Sequence, residues 1–67
     1  MPRILVLPER KTITVRGNIS VSKLLSLLDI DDPDEVAIVV NNKLIDDLSF
    51  IIKDYDRVLV IRQGIGG

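Results

Sequence analysis

The 67 residues leave room for one domain, near the lower size limit for a fold held by a hydrophobic core alone. There is no cysteine and no histidine, which excludes a disulfide framework, a thiolate metal site, thiol redox chemistry and the commonest general base, so no autonomous catalysis is expected. A formal net charge of -1, with acids and bases scattered along the chain, gives no electrostatic footprint for nucleic acid or an anionic membrane and points to protein partners.

Residues 4–7 are apolar and β-favouring. A polar segment follows at 8–11, and then residues 12–15 alternate with a period of two, the signature of a β-hairpin. Gly17 and Asn18 break the strand. Ser20 is placed to cap a helix in which Val21, Leu24, Leu25 and Leu28 fall on one apolar stripe. An acidic loop with Asp29, Asp31, Asp32, Asp34 and Glu35 follows, and Pro33 is expected to end the helix because it disfavours helical geometry at the residue before it. Residues 36–40 form the next strand. Asn41 and Asn42 suit the positive φ values of a tight turn into a short strand at 43–45. Residues 46–52 read as a loop with a helical turn, and a final strand at 57–62 leads into Gln63-Gly64-Ile65-Gly66-Gly67.

Apolar residues make up 46% of the chain and are mostly Ile, Leu and Val, which suits a compact layered domain and argues against disorder. Two strands, one helix and then three strands are too little chain for two helical layers. The economical solution is an α+β fold of β-grasp type: a mixed sheet of four to five strands with one helix packed across one face. A right-handed crossover lets the last strand lie parallel beside the first. Residues 1–63 would form this domain and residues 64–67 a flexible tail. Ile4, Val6, Ile38, Val40, Val58 and Val60 then face the helix, and alternation puts Leu5, Val39, Leu59 and Ile61 on the opposite face. That second face is too apolar to be left bare. It is read as a partner docking surface, with dimerisation or cover by long basic stems as the alternatives. The longest apolar runs fall far short of a membrane span and no signal-like segment precedes the first strand, so a cytoplasmic location is expected.

With these elements in place the chain resembles the sulfur-carrier and ubiquitin-like β-grasp family, whose members end in Gly-Gly. Residues 39–45, Val-Val-Asn-Asn-Lys-Leu-Ile, are similar to the family's third-strand hairpin, with Asn42 where an Asn-Gly turn has glycine. Residues 52–61 are similar to its approach to the final strand, with Tyr55 where glycine is common. The ending Ile61-Arg62-Gln63-Gly64-Ile65-Gly66-Gly67 is most similar to the carriers that supply sulfur for the thiamine thiazole. Carriers for molybdopterin or tRNA thiolation are the nearest variants, and a ubiquitin-like modifier joined to lysine is a further alternative.

The resemblance implies chemistry at Gly66 and Gly67. A free carboxylate is a poor electrophile. A partner E1-like adenylyltransferase would spend ATP to make an acyl-adenylate at Gly67, a sulfurtransferase or cysteine desulfurase would supply sulfur, and the resulting thiocarboxylate would pass to an acceptor such as thiazole synthase. No cofactor is held permanently and no catalytic residue is assigned. Glycine lets the tail enter a narrow channel because it lacks Cβ. Gly64 reads as a hinge and Ile65 as an apolar anchor. Arg62 and Gln63 either hydrogen-bond a partner or are ordinary solvated residues. The acidic loop fails as a calcium site, since the EF-hand pattern needs Gly at position 34 and Glu at position 40, where Asp34 and Val40 stand. It remains a solvated loop or a contact for a basic partner.

Overall fold

The computed structural model describes residues 1–62. Strands β1 (Arg3–Leu7) and β2 (Lys11–Thr14) form the expected hairpin. A two-residue strand β3 (Ile19–Ser20) leads directly into helix α1 (Val21–Leu27). A 3-10 turn (Pro33–Glu35) then opens onto β4 (Val36–Val40), β5 (Lys43–Ile45), β6 (Ile51–Ile52) and β7 (Arg57–Arg62). The main sheet has the order β2-β1-β7-β4-β5, with β1 and β7 parallel and the other neighbours antiparallel. This is the mixed sheet with one helix expected of a β-grasp.

The core follows from alternation. Ile4 and Val6, Ile38 and Val40, and Val58 and Val60 are all buried, as are Val21, Leu24 and Leu25 of the helix. The register sets Ile4 beside Val58, and Val60 beside both Val6 and Ile38, so the helix lands on a continuous apolar floor. Ile19 and Ile52 complete this core through β3 and β6, which pair as a small second sheet.

Two expectations are corrected. Residues 46–52 contain no helical turn. The Phe50 N–H donates to the Asp47 carbonyl at 3.0 Å, and the Asp47 carboxylate accepts from both the N–H and the hydroxyl of Ser49, at 2.9 and 2.7 Å. A local side-chain bond of this kind closes a turn more readily than a helix. The turn's carbonyls serve the real helix: the first helical N–H groups, of Val21 and Ser22, donate to Phe50 O and Leu48 O, each at 2.9 Å. Ser20 Oγ accepts the third, from Lys23, at 3.0 Å, as its capping role requires.

Helix termination is also not the work of Pro33. Asp29 takes φ +58°, its N–H donates to Ser26 O at 3.1 Å, and the Ile30 N–H donates to Leu25 O at 2.9 Å. That pair of bonds is a Schellman motif, which satisfies the last helical carbonyls four residues before the proline. Pro33 starts the 3-10 turn instead, where its missing N–H costs nothing, and Asp32 caps it by accepting from the Asp34 N–H at 3.0 Å.

Asn41 and Asn42 adopt φ +51° and +70°, the two left-handed residues of a type I′ hairpin turn, and Asn42 occupies the place that favours glycine. Asn41 has a second task. Its N–H donates to Arg57 O at 2.9 Å, its Oδ1 accepts from the Arg57 N–H at 3.0 Å, and its Nδ2 donates to Asp56 Oδ1 at 2.9 Å. Asp56, only 6% exposed, accepts the Lys53 N–H through its other oxygen at 2.8 Å. The β4–β5 turn is thereby clasped to the start of β7.

Candidate functional site: the outer sheet face and the end of the last strand

The strand that leads to Gly66 and Gly67 is the central one. β7 lies between β1 and β4, paired with both along its length, so residues 63–67 follow directly from the most constrained strand of the sheet. Gln63, Gly64, Ile65, Gly66 and Gly67 themselves lie outside the described residues.

On the sheet face away from the helix the register brings the expected residues together. Leu5 pairs with Leu59, and Leu59 with Val39, in one row across three strands. Ile61 stands one step nearer the tail, between Leu7 and Ala37. Leu5 and Ile61 are 37% and 39% exposed, and Val39 and Leu59 are half-buried. The row also reaches Leu44 of β5, opposite Val39 and 71% exposed, which sequence reasoning missed. The signal was present: a two-residue loop at 41–42 pairs Val40 with Lys43, and so Val39 with Leu44. Arg3 and Arg57, side by side, bound the band at the end away from the tail. The band therefore joins a continuous aliphatic surface to the strand end that leads to the tail. An apolar partner surface resting on it would be oriented along β7.

Arg62 is not part of that face. Alternation places it with Val58 and Val60, and its Nη1 donates to Glu9 Oε2 at 2.9 Å, tying the end of β7 to the β1–β2 loop. Both side chains of this ion pair are well exposed, so it orients the strand end without adding much stability. Among the described residues no group of three or more acidic, Cys or His side chains is gathered to hold a metal, and no helix is long and apolar enough to cross a membrane.

The profile of the ThiS family matches residues 3–67, which is nearly the whole chain and includes the diglycine. The chain belongs to the ThiS family. That places it among small ubiquitin-like sulfur carriers rather than catalysts. Two solved structures are similar to it. A crystal structure of a thiamine biosynthesis protein (ThiS) from Geobacter metallireducens is 26% identical, with a TM-score of 0.63 over 97% of each chain. A solution NMR structure of a thiamine biosynthesis protein from the same organism is 24% identical, with a TM-score of 0.63 over 97% of this chain and 87% of that one, and supports the fold. No curated protein sequence matches significantly. ThiS membership and the β-grasp frame thus bear out the family and fold expected from the residues.

Proposed function

We propose that this protein carries sulfur as a thiocarboxylate at Gly67 for formation of the thiamine thiazole in the cytosol. The observation that carries this reading is the family match running unbroken through the central strand β7 to Gly67. The Gly67 carboxylate attacks the α-phosphorus of ATP in a partner adenylyltransferase, releasing pyrophosphate and leaving an acyl-adenylate. Hydrosulfide then adds to the carbonyl and expels AMP, giving the thiocarboxylate. If the donor is instead a persulfide on a sulfurtransferase or desulfurase, the product is an acyl disulfide, which a second thiol cleaves as it becomes oxidised to a disulfide. The chain's own contribution is an unhindered end and a docking face: Leu5, Val39, Leu59 and Ile61 seat the partner while Gly64 to Gly67 enter its channel. Glycine suits that passage because any Cβ would narrow it.

Intact mass spectrometry of the chain ending at Gly67, incubated with ATP, an adenylyltransferase and a sulfur donor, tests the reading. Replacement of one oxygen by sulfur at Gly67 is the expected result. Persistent failure of that exchange, or recovery of the diglycine on lysines of other proteins instead, would count against it.

A further inference from the structure

The sheet is incomplete at one corner. β4 is paired along its whole length with β7, but β5 accompanies only Ile38, Val39 and Val40. After Ile45 the chain leaves the sheet and crosses to the helix, where Leu48 O receives the Ser22 N–H. Beside Val36 and Ala37 this leaves a notch between the sheet and α1, walled by Leu25, Ile45, Pro33 and the half-exposed Leu48.

The charged side chains that line the notch are acidic, and the cation of a neighbouring depression, Arg62, is paired with Glu9. Asp34, from the 3-10 turn, and Asp46, just past β5, line it from two separate segments. An adjoining depression shares Leu25, Pro33 and Leu48 and adds Asp29 and Asp31. No lysine or arginine lines either one, and among the described residues neither Asp34 nor Asp46 joins an ion pair. The opposite face of the sheet carries Arg3 and Arg57.

Backbone geometry adds a third feature. The residues flanking a two-residue hairpin loop, here Val40 and Lys43, exchange hydrogen bonds, and the next pair, Val39 and Leu44, does not. The Leu44 N–H and C=O therefore point outward from β5, the edge strand of the sheet.

We propose that this notch is a docking site for an extended segment of a partner protein in which one or two aliphatic side chains are bracketed by lysine or arginine. The aliphatic group fills the space against Leu25, Ile45 and Leu48. The flanking cations meet Asp34 and Asp46, and the segment's backbone pairs with Leu44 by strand addition. Because the notch lies on the helix side of the sheet, its occupant meets the outer-face row only at Leu44 and leaves Leu5, Leu59 and Ile61 free. A carrier held here keeps its tail available for transfer.

The probe is the capped hexapeptide Lys-Lys-Leu-Val-Lys-Lys, titrated into the full chain and followed by amide NMR. Its controls have glutamate in place of every lysine, or glycine in place of the Leu-Val pair. Shifts centred on Leu25, Leu44, Asp46 and Leu48 are expected, with both controls weaker. The Asp34→Asn/Asp46→Asn double variant, which removes no side-chain hydrogen bond and should fold normally, is expected to bind about threefold to tenfold more weakly. The proposal is overturned by shifts centred on Leu5 and Leu59, by equal binding of either control, by unchanged affinity of the double variant, or by no shift at all. Notch shifts that follow protein concentration without peptide would assign the site to a second copy of the chain and overturn it equally.

Discussion

Replacing Asp56 by alanine should destabilise the fold out of proportion to the size of the side chain. The carboxylate is buried, and it accepts the Lys53 N–H at 2.8 Å and Asn41 Nδ2 at 2.9 Å. A hydrogen bond to a charged group contributes about 1.5–3 kcal/mol, and an abandoned buried donor loses that and its desolvation besides. Water can reach this edge of the sheet once the carboxylate is gone, so the two bonds together are taken at about 2–4 kcal/mol. A chain of 67 residues has roughly 3–10 kcal/mol to lose. Asp56→Ala should therefore lower the melting temperature by roughly 10–25 °C. Urea denaturation followed by circular dichroism measures the loss directly, and a double-mutant cycle with Asn41→Ala isolates the clasp, with an expected coupling of about 1–2 kcal/mol. A loss below about 1 kcal/mol, or strictly additive single variants, would show that the clasp between the β4–β5 turn and β7 is not what stabilises this edge.

Leu5→Glu, on the exposed band, should change stability by less than about 1 kcal/mol yet reduce kcat/KM for the proposed adenylation of Gly67 by about tenfold or more; equal activity would count against the sheet face as the proposed docking surface. Asp29→Gly should stabilise the chain by about 0.5–1 kcal/mol, since glycine adopts φ +58° without steric cost and an acid is removed from a helix C-terminus; urea midpoints test it. The hydroxyl and N–H of Ser49 hold the Asp47 carboxyl below its ordinary value of 3.8. With the folded value lowered, the turn's contribution is complete above pH 3.8 and disappears as pH falls through the folded value. An NMR titration should place the Asp47 midpoint below 3.8 and show it moving back up in Ser49→Ala.

Alternation made the central features of this fold readable. Ile4 and Val6, Ile38 and Val40, and Val58 and Val60 repeat every second residue, and a one-residue slip would have exposed them all. The features that escaped have no such period. β3 and β6 are two residues long, too short for a pattern, and they acquire strand geometry only by pairing with each other. Asp56 sits in an Asp-Tyr-Asp run that resembles any solvated turn, and the partner that gives it meaning, Asn41, is fifteen residues away. Pro33 suggests the helix end because it disfavours helical geometry at the residue before it, but the stop is Asp29, which takes the left-handed conformation usual for glycine with a less permissive backbone. At the candidate site the outer-face row of Leu5, Val39 and Leu59 was legible. Arg62 was grouped with the tail by adjacency, although counting by twos from Val60 assigns it to the opposite face.

The strand order has a consequence for synthesis of the chain. Without β7, the pairs β1–β2 and β4–β5 share no ladder: they are two separate hairpins, and the helix has only half a floor on either side. Emergence of Arg57–Arg62 from the ribosome joins them, and residues 63–67 follow at once. A nascent or truncated chain that stops short of this strand would lack both a finished domain and the glycines beyond it. A partner that selects the assembled sheet face would then meet the diglycine only on molecules whose folding is complete.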